Sequence, residues 1–181
     1  MEDSDAVVPC SQGGPCRVGD QGPGGGTVVY AAPTVQRWGQ YLEVAPEGWS
    51  GGADPSLTWC DRAVSASTRT GLGEGRENTE RLGANCPGSQ VAVAVLGYRG
   101  GGLADWGVPS RDELRKAYRE RGRLSGLQRE YWTSSFNPGT IASMMLTASF
   151  SRWSFDPSPV NVTVRGVRVR PMRAFTCTQC S

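Results

Sequence analysis

The chain predicts a single α+β domain with short helices and long Gly- and Pro-rich loops. Three observations lead there. Alternating apolar and polar stretches, the mark of half-buried antiparallel strands, stand towards both ends of the chain. Helix signals lie between them, a segregated order that belongs to α+β rather than α/β folds. The 25 Gly and 12 Pro in 181 residues call for many turns, and 181 residues suit one domain with a real core.

The elements follow in order. Residues 1–15 lack apolar periodicity and read as a flexible tail or linker, ahead of a domain over 16–176 and a Cys-containing C-terminal tail over 177–181. The Gly run over 17–26 leads into an apolar stretch over 27–31, which reads as a strand. That run lacks the Lys-Ser/Thr ending of a phosphate loop, and it precedes a strand where phosphate loops follow one. It reads as a tight turn in which Gly supplies positive φ. A second strand is expected over 41–45, then a loop over 46–59. Two short helices are expected within 60–98, one starting near Arg76; the apolar run over 90–98 fits a buried helix or a strand equally. Ser110 and Glu113 form a capping box, and Leu114, Ala117 and Tyr118 then give a helix with one apolar face. Its other face carries Arg111, Arg115, Lys116 and Arg119. Strands follow over 131–135, 145–150 and 167–175.

Composition limits the chemistry. Histidine is absent, which removes Ser-His-Asp and Cys-His nucleophiles, His-held zinc and two-His iron sites. Residues 1–98 carry a net −5 and residues 99–181 a net +7, almost all of the positive charge on Arg. Pairing between the halves accounts for such an imbalance; an anionic ligand on the basic half is the alternative. No stretch approaches the roughly 18 apolar residues of a membrane span, so no membrane insertion is expected. The start of the chain is acidic where a signal peptide is basic.

Six cysteines, at 10, 16, 60, 86, 177 and 180, favour disulfides and an oxidising compartment, extracellular or at the cell surface. Cys60 is expected to pair with Cys86. Cys10, Cys16, Cys177 and Cys180 have three possible connectivities. The rival reading takes Cys177 and Cys180 as half of a four-cysteine zinc site, but Cys10 and Cys16 are too widely spaced for a standard second half.

Several segments, in chain order, resemble a known domain group. They are Val18-Gly-Asp-Gln-Gly-Pro-Gly-Gly-Gly-Thr-Val-Val-Tyr30, Trp38-Gly-Gln-Tyr-Leu-Glu-Val-Ala-Pro46 and Gly73-Glu-Gly-Arg-Glu-Asn-Thr79. Further on come Gly102-Leu-Ala-Asp-Trp-Gly-Val-Pro-Ser-Arg-Asp-Glu-Leu114, Tyr131-Trp-Thr-Ser-Ser135 and Val169-Arg-Pro-Met-Arg-Ala-Phe175. Together, over roughly residues 17–175, they look like the DUF1566 and Legionella collagen-like-adhesin C-terminal domain group. The resemblance implies a C-type-lectin-like fold, distantly similar to formylglycine-generating enzymes and phage variable receptor-binding proteins. It implies paired first and last strands, which would bring Cys10 and Cys16 near Cys177 and Cys180. It also gives Trp106, Pro109 and Trp132 structural roles.

Ligand contacts are then expected where the chain departs from these segments, on loops carried by a rigid scaffold. The candidates are Asn137, within the stretch 136–141, then Arg152, Trp153, Phe155 and Asp156, and Asn161 in the following turn. Trp153 and Phe155 would stack on a sugar or protein face, with the polar residues around them. Their other possible role is packing the loop against the sheet. The calcium-ligand loops of sugar-binding lectins and the histidines of iron-dependent relatives are missing, and Cys177 and Cys180 lie beyond the last motif strand, whereas formylglycine-generating enzymes carry their reactive pair within the late part of the domain. No metal or cofactor is expected.

The expected function is a non-catalytic ligand-binding or adhesion module. Its partner would be a glycan, including an anionic polysaccharide, or a surface protein. The alternatives are a formylglycine-generating-type cysteine enzyme and a structural subunit that oligomerises in a fibre or surface assembly. The basic half lacks the aromatic-basic interleaving of nucleic-acid binders, so no nucleic-acid partner is expected.

Overall fold

The structure, a computed structural model, describes residues 7–127, 129–137, 144–152 and 154–180. Two three-stranded antiparallel sheets and three α-helices make up the frame among the described residues, an α+β architecture. The first sheet has the order β1 (Thr27–Gln36), β2 (Gly39–Val44), β6 (Met172–Phe175). The second has the order β3 (Glu130–Phe136), β4 (Met144–Ser149), β5 (Ser158–Asn161).

The C-terminal strand does not pair with the first strand, as the resemblance implied. It pairs with β2, Tyr41 opposite Phe175 and Val44 opposite Met172. As the central strand, β2 has Tyr41, Leu42, Glu43 and Val44 all buried. Glu43 decides much of the local build. Its carboxylate accepts from the Gly24 and Gly26 amides at 3.2 and 2.7 Å and from Arg173 at 2.9 Å. The Gly run is therefore more than a turn, because a Cβ on Gly22 or Gly24 would sit 2.4 Å from Glu43 or 2.3 Å from Trp106. Arg173 also meets Asp105 at 2.8 Å; burial disfavours its charge, but Asp105 and Glu43 outweigh that and raise its pKa.

Helix α1 (Gly75–Asn85) and α2 (Gln90–Gly97) lie against the second sheet around Trp59, Leu82, Val91, Val95, Val108 and Trp132. The ambiguous run over 90–98 is a helix, begun by Ser89, whose hydroxyl accepts from the Ala92 amide. Helix α3 (Arg111–Arg119) has the full capping box and buries Leu114, Ala117 and Tyr118 between the sheets. Trp106, Pro109 and Trp132 are buried, as their expected structural roles require. The strand expected over 167–175 is shorter. Pro171 has no amide to donate, and residues 167–169 bond instead to 55–57 and to β3. Strand β5 falls in a stretch read from sequence as a turn.

The disulfides are Cys10–Cys16, Cys60–Cys86 and Cys177–Cys180, so the terminal cysteines bridge locally. Packed structure begins before the expected boundary at residue 16, since Cys10 and Cys16 are buried with Val28, Tyr41 and Phe175. The chain ends do meet. The Thr178 and Gln179 amides both donate to the Gly13 carbonyl. The two charge-opposed halves also pair, through Asp54 with Arg170 and Glu43 with Arg173. No helix among the described residues is long and apolar enough to cross a membrane.

Candidate functional site

The second sheet separates the expected contact residues into two groups. Met144 lies opposite Asn161 and Glu130 opposite Ser149, so the two ends of β4 face opposite ends of the sheet. Arg152, Phe155 and Asp156 lie in the connection after Ser149, while Asn161 and Asn137 lie towards the other end. Five residue steps along β4 put roughly 17 Å between them. Trp153 and residues 138–141 lie outside the described residues.

The first group sits on α3, which its capping box and buried face hold in place. Phe155 is half-buried with its ring 5.5 Å from that of Tyr118, and it packs against the core cluster that joins α3 to both sheets. The Tyr118 hydroxyl donates to the Arg152 carbonyl and anchors the connection. Cations cover the rings: Arg115 is 5.3 Å from Phe155, Arg121 4.2 Å from Tyr118 and Lys116 3.8 Å from Tyr30. A cleft of about 460 Å³ opens between Arg115, Tyr118, Arg119, Ser154 and Phe155.

This face concentrates positive charge. Burial, then repulsion from Arg119 and Arg115, lowers the Lys116 pKa, with Asp112 partly opposing. Asp112 is engaged by Arg111 and Arg115, and Glu120 by Arg123. Arg119 and Arg152 make no ion pair among the described residues, and Asp156 is exposed without one. The surface therefore offers the half-buried Phe155 ring beside guanidinium groups that can bind an oxyanion.

The second group has a different character. The Asn161 carboxamide oxygen accepts from the Thr163 amide at 3.0 Å and hydroxyl at 2.9 Å, an Asx turn that sets residues 161–165. Asn161 is thus a turn-former. The turn it builds presents Thr163 and Arg165 to a cleft of about 510 Å³, whose other walls include Ser56, Thr58, Asp61 and Gln90. Asn137 is half-buried and has a partner within the fold.

Compared with protein-family models and with curated proteins, the chain matches none. Residue roles at these surfaces therefore rest on their geometry. One group of metal-ligand type occurs among the described residues, Cys60, Asp61 and Cys86. Its two sulfurs are bonded to each other, so neither is a thiolate.

In sequence, Tyr118 reads as core and Lys116 and Arg119 as a polar face, and no local pattern joins either to the connection after Ser149. Tyr30 reads in sequence only as part of a strand. Its place under Lys116 comes from the packing of α3 on β1, which no local pattern encodes.

Proposed function

We propose that this chain is a non-catalytic extracellular binding or adhesion module, with a C-type-lectin-like scaffold related to the DUF1566 group. It recognises a glycan or a surface protein through the face formed by α3 with Arg152, Ser154, Phe155 and Asp156. The observation that carries the reading is the half-buried Phe155 ring, tilted against Tyr118 and sharing one cleft with Arg115 and Arg119. Aromatic rings beside arginines suit a sugar or protein surface bearing carboxylate or sulfate. Capping fixes the helix beneath, so the face is organised before a ligand arrives. Three disulfides suit an oxidising compartment.

A cysteine enzyme of the formylglycine-generating kind requires a reactive thiol, whereas all six cysteines are paired. Native-state labelling with a thiol reagent tests that point and should give no adduct. Binding of the non-reduced protein to a broad glycan array, with and without calcium, tests the main reading. Calcium-independent binding weakened by Trp153→Ala and Phe155→Ala is the expected result. Binding that both variants leave unchanged would place the contact surface elsewhere.

A further inference from the structure

A second surface, remote in character from the basic face, runs along the outside of α2. Gln90, Ala94 and Gly97 share one face of that helix, at spacings of four and three residues, over roughly 10 Å of its axis. Two clefts border this helix, one on either side of the segment 55–58. Around Gln90 is the polar cleft of about 510 Å³, with Ser56, Thr58, Asp61 and Arg165 in its walls. Around Ala94 and Gly97 is one of about 480 Å³, with Trp49, Ser50, Leu57, Tyr98 and Arg99. The segment 55–58 separates them and serves both, Pro55 and Leu57 facing the second and Ser56 and Thr58 the first. The Gln90 side chain ties it to the helix, accepting from the Thr58 amide at 3.2 Å.

The aromatic end is fixed in advance. The Trp49 indole donates to Asp54 at 3.1 Å, and Asp54 is itself locked to buried Arg170. The Trp49 and Tyr98 rings meet at 5.5 Å and 76°, forming a corner, and Tyr98 leans on buried Trp106 at 5.0 Å. Glycine keeps both clefts open: no atom lies within 4 Å of where a Cβ on Gly88 or Gly97 would stand. The charge differs from that of the α3 face. Asp61 and Arg165 line the same cleft with opposite signs, and neither makes an ion pair among the described residues. A polyanion would meet Asp61 unfavourably, while hydroxyl groups can both donate to the carboxylate and accept from the guanidinium.

We propose that the two clefts together form a groove for one uncharged oligosaccharide, one ring stacked in the Trp49–Tyr98 corner and another hydrogen-bonded by Ser56, Thr58, Asp61 and Arg165 across the segment 55–58. This rests on the chain being a binding module, and does not require the α3 face to be a contact surface. The test is titration of the non-reduced protein with cellobiose, maltose, lactose and chitobiose and their trisaccharides, followed by the Trp49 indole N–H resonance. At least one series should shift it saturably. Gly97→Leu and Gly88→Leu, each in the wall of one cleft at a position where a Cβ has no atom within 4 Å, should each weaken that binding by about tenfold or more. A resonance unmoved by every neutral sugar, or binding that both leucine variants leave intact, overturns the groove. If a sulfated polysaccharide binds where the neutral sugars do not, the groove fails and the binding-module reading stands. If neither binds, the groove fails and a surface protein is the ligand that the binding-module reading still allows.

Discussion

Removing Asp54 should destabilise this fold strongly. Asp54 and Arg170 are 0% and 3% exposed and 2.7 Å apart. The carboxylate also takes hydrogen bonds from Arg170 Nε at 2.8 Å, the Tyr131 hydroxyl at 2.5 Å and the Trp49 indole at 3.1 Å. Asp54→Ala strands a guanidinium, a phenol and an indole donor in a space from which water is largely excluded. Breaking a buried pair on one side costs about 3–5 kcal/mol. For a chain of this size that corresponds to a fall in Tm of about 6–20 °C. The assay is urea unfolding under non-reducing conditions, followed by tryptophan fluorescence. Replacing both partners by apolar residues, Asp54→Leu with Arg170→Met, should recover most of the loss, since no charge is then left uncompensated. A loss below about 1 kcal/mol for Asp54→Ala, or a double variant no better than the single one, would refute the reasoning.

Further expectations concern the Gly run, the disulfides and the capping box. Gly24→Ala places a Cβ 2.3 Å from Trp106 and should destabilise by about 1–3 kcal/mol or more, whereas Gly88→Ala, with open space around it, should be near neutral; thermal unfolding compares them. Replacing Cys60 and Cys86 by Ser opens a loop of 26 residues and should cost about 3–4 kcal/mol, against less than about 2 for Cys177 and Cys180, which are three residues apart. Burial raises the Glu113 carboxyl from 4.5 to about 7, despite hydrogen bonds from the Ser110, Gly73 and Gly75 amides and the Ser110 hydroxyl. The folded state therefore holds this proton more tightly than the unfolded chain does. Its contribution is complete below about pH 4.5 and declines as pH rises through 7, by at most about 3 kcal/mol. Glu113→Gln should flatten that part of the stability profile, and an unchanged slope would assign it to another group.

What the sequence made legible was mostly local. The capping box of Ser110 and Glu113 lies within one helical turn, so spacing alone exposes it, and the pairing of Cys60 with Cys86 follows from their flanking one segment. The run over 90–97 carried no usable period because it is almost wholly apolar; the Ser89 cap and burial on α1 and the second sheet make it a helix. Strand β5 was hidden by its length of four residues and by Pro159. The second role of the Gly run depends on Glu43, 17–19 residues away, and no window over the run contains that carboxylate. The candidate site was legible only where it is contiguous. Arg152, Phe155 and Asp156 share one connection, but the sheet register carries Asn161 to the opposite end. The Trp49–Tyr98 corner joins residues 49 apart in sequence and could not be read from either neighbourhood.

The most direct test of the binding-module reading is an affinity titration of the purified, non-reduced protein against a sulfated polysaccharide at low and high salt, alongside Arg119→Glu with Arg152→Glu. The account predicts saturable, calcium-independent binding that weakens steeply with salt and is lost in the double variant. Binding that ignores both salt and the charge reversal would contradict the assignment of the α3 face. Absence of binding to this and to every other glycan would leave a surface protein as the only ligand the reading allows.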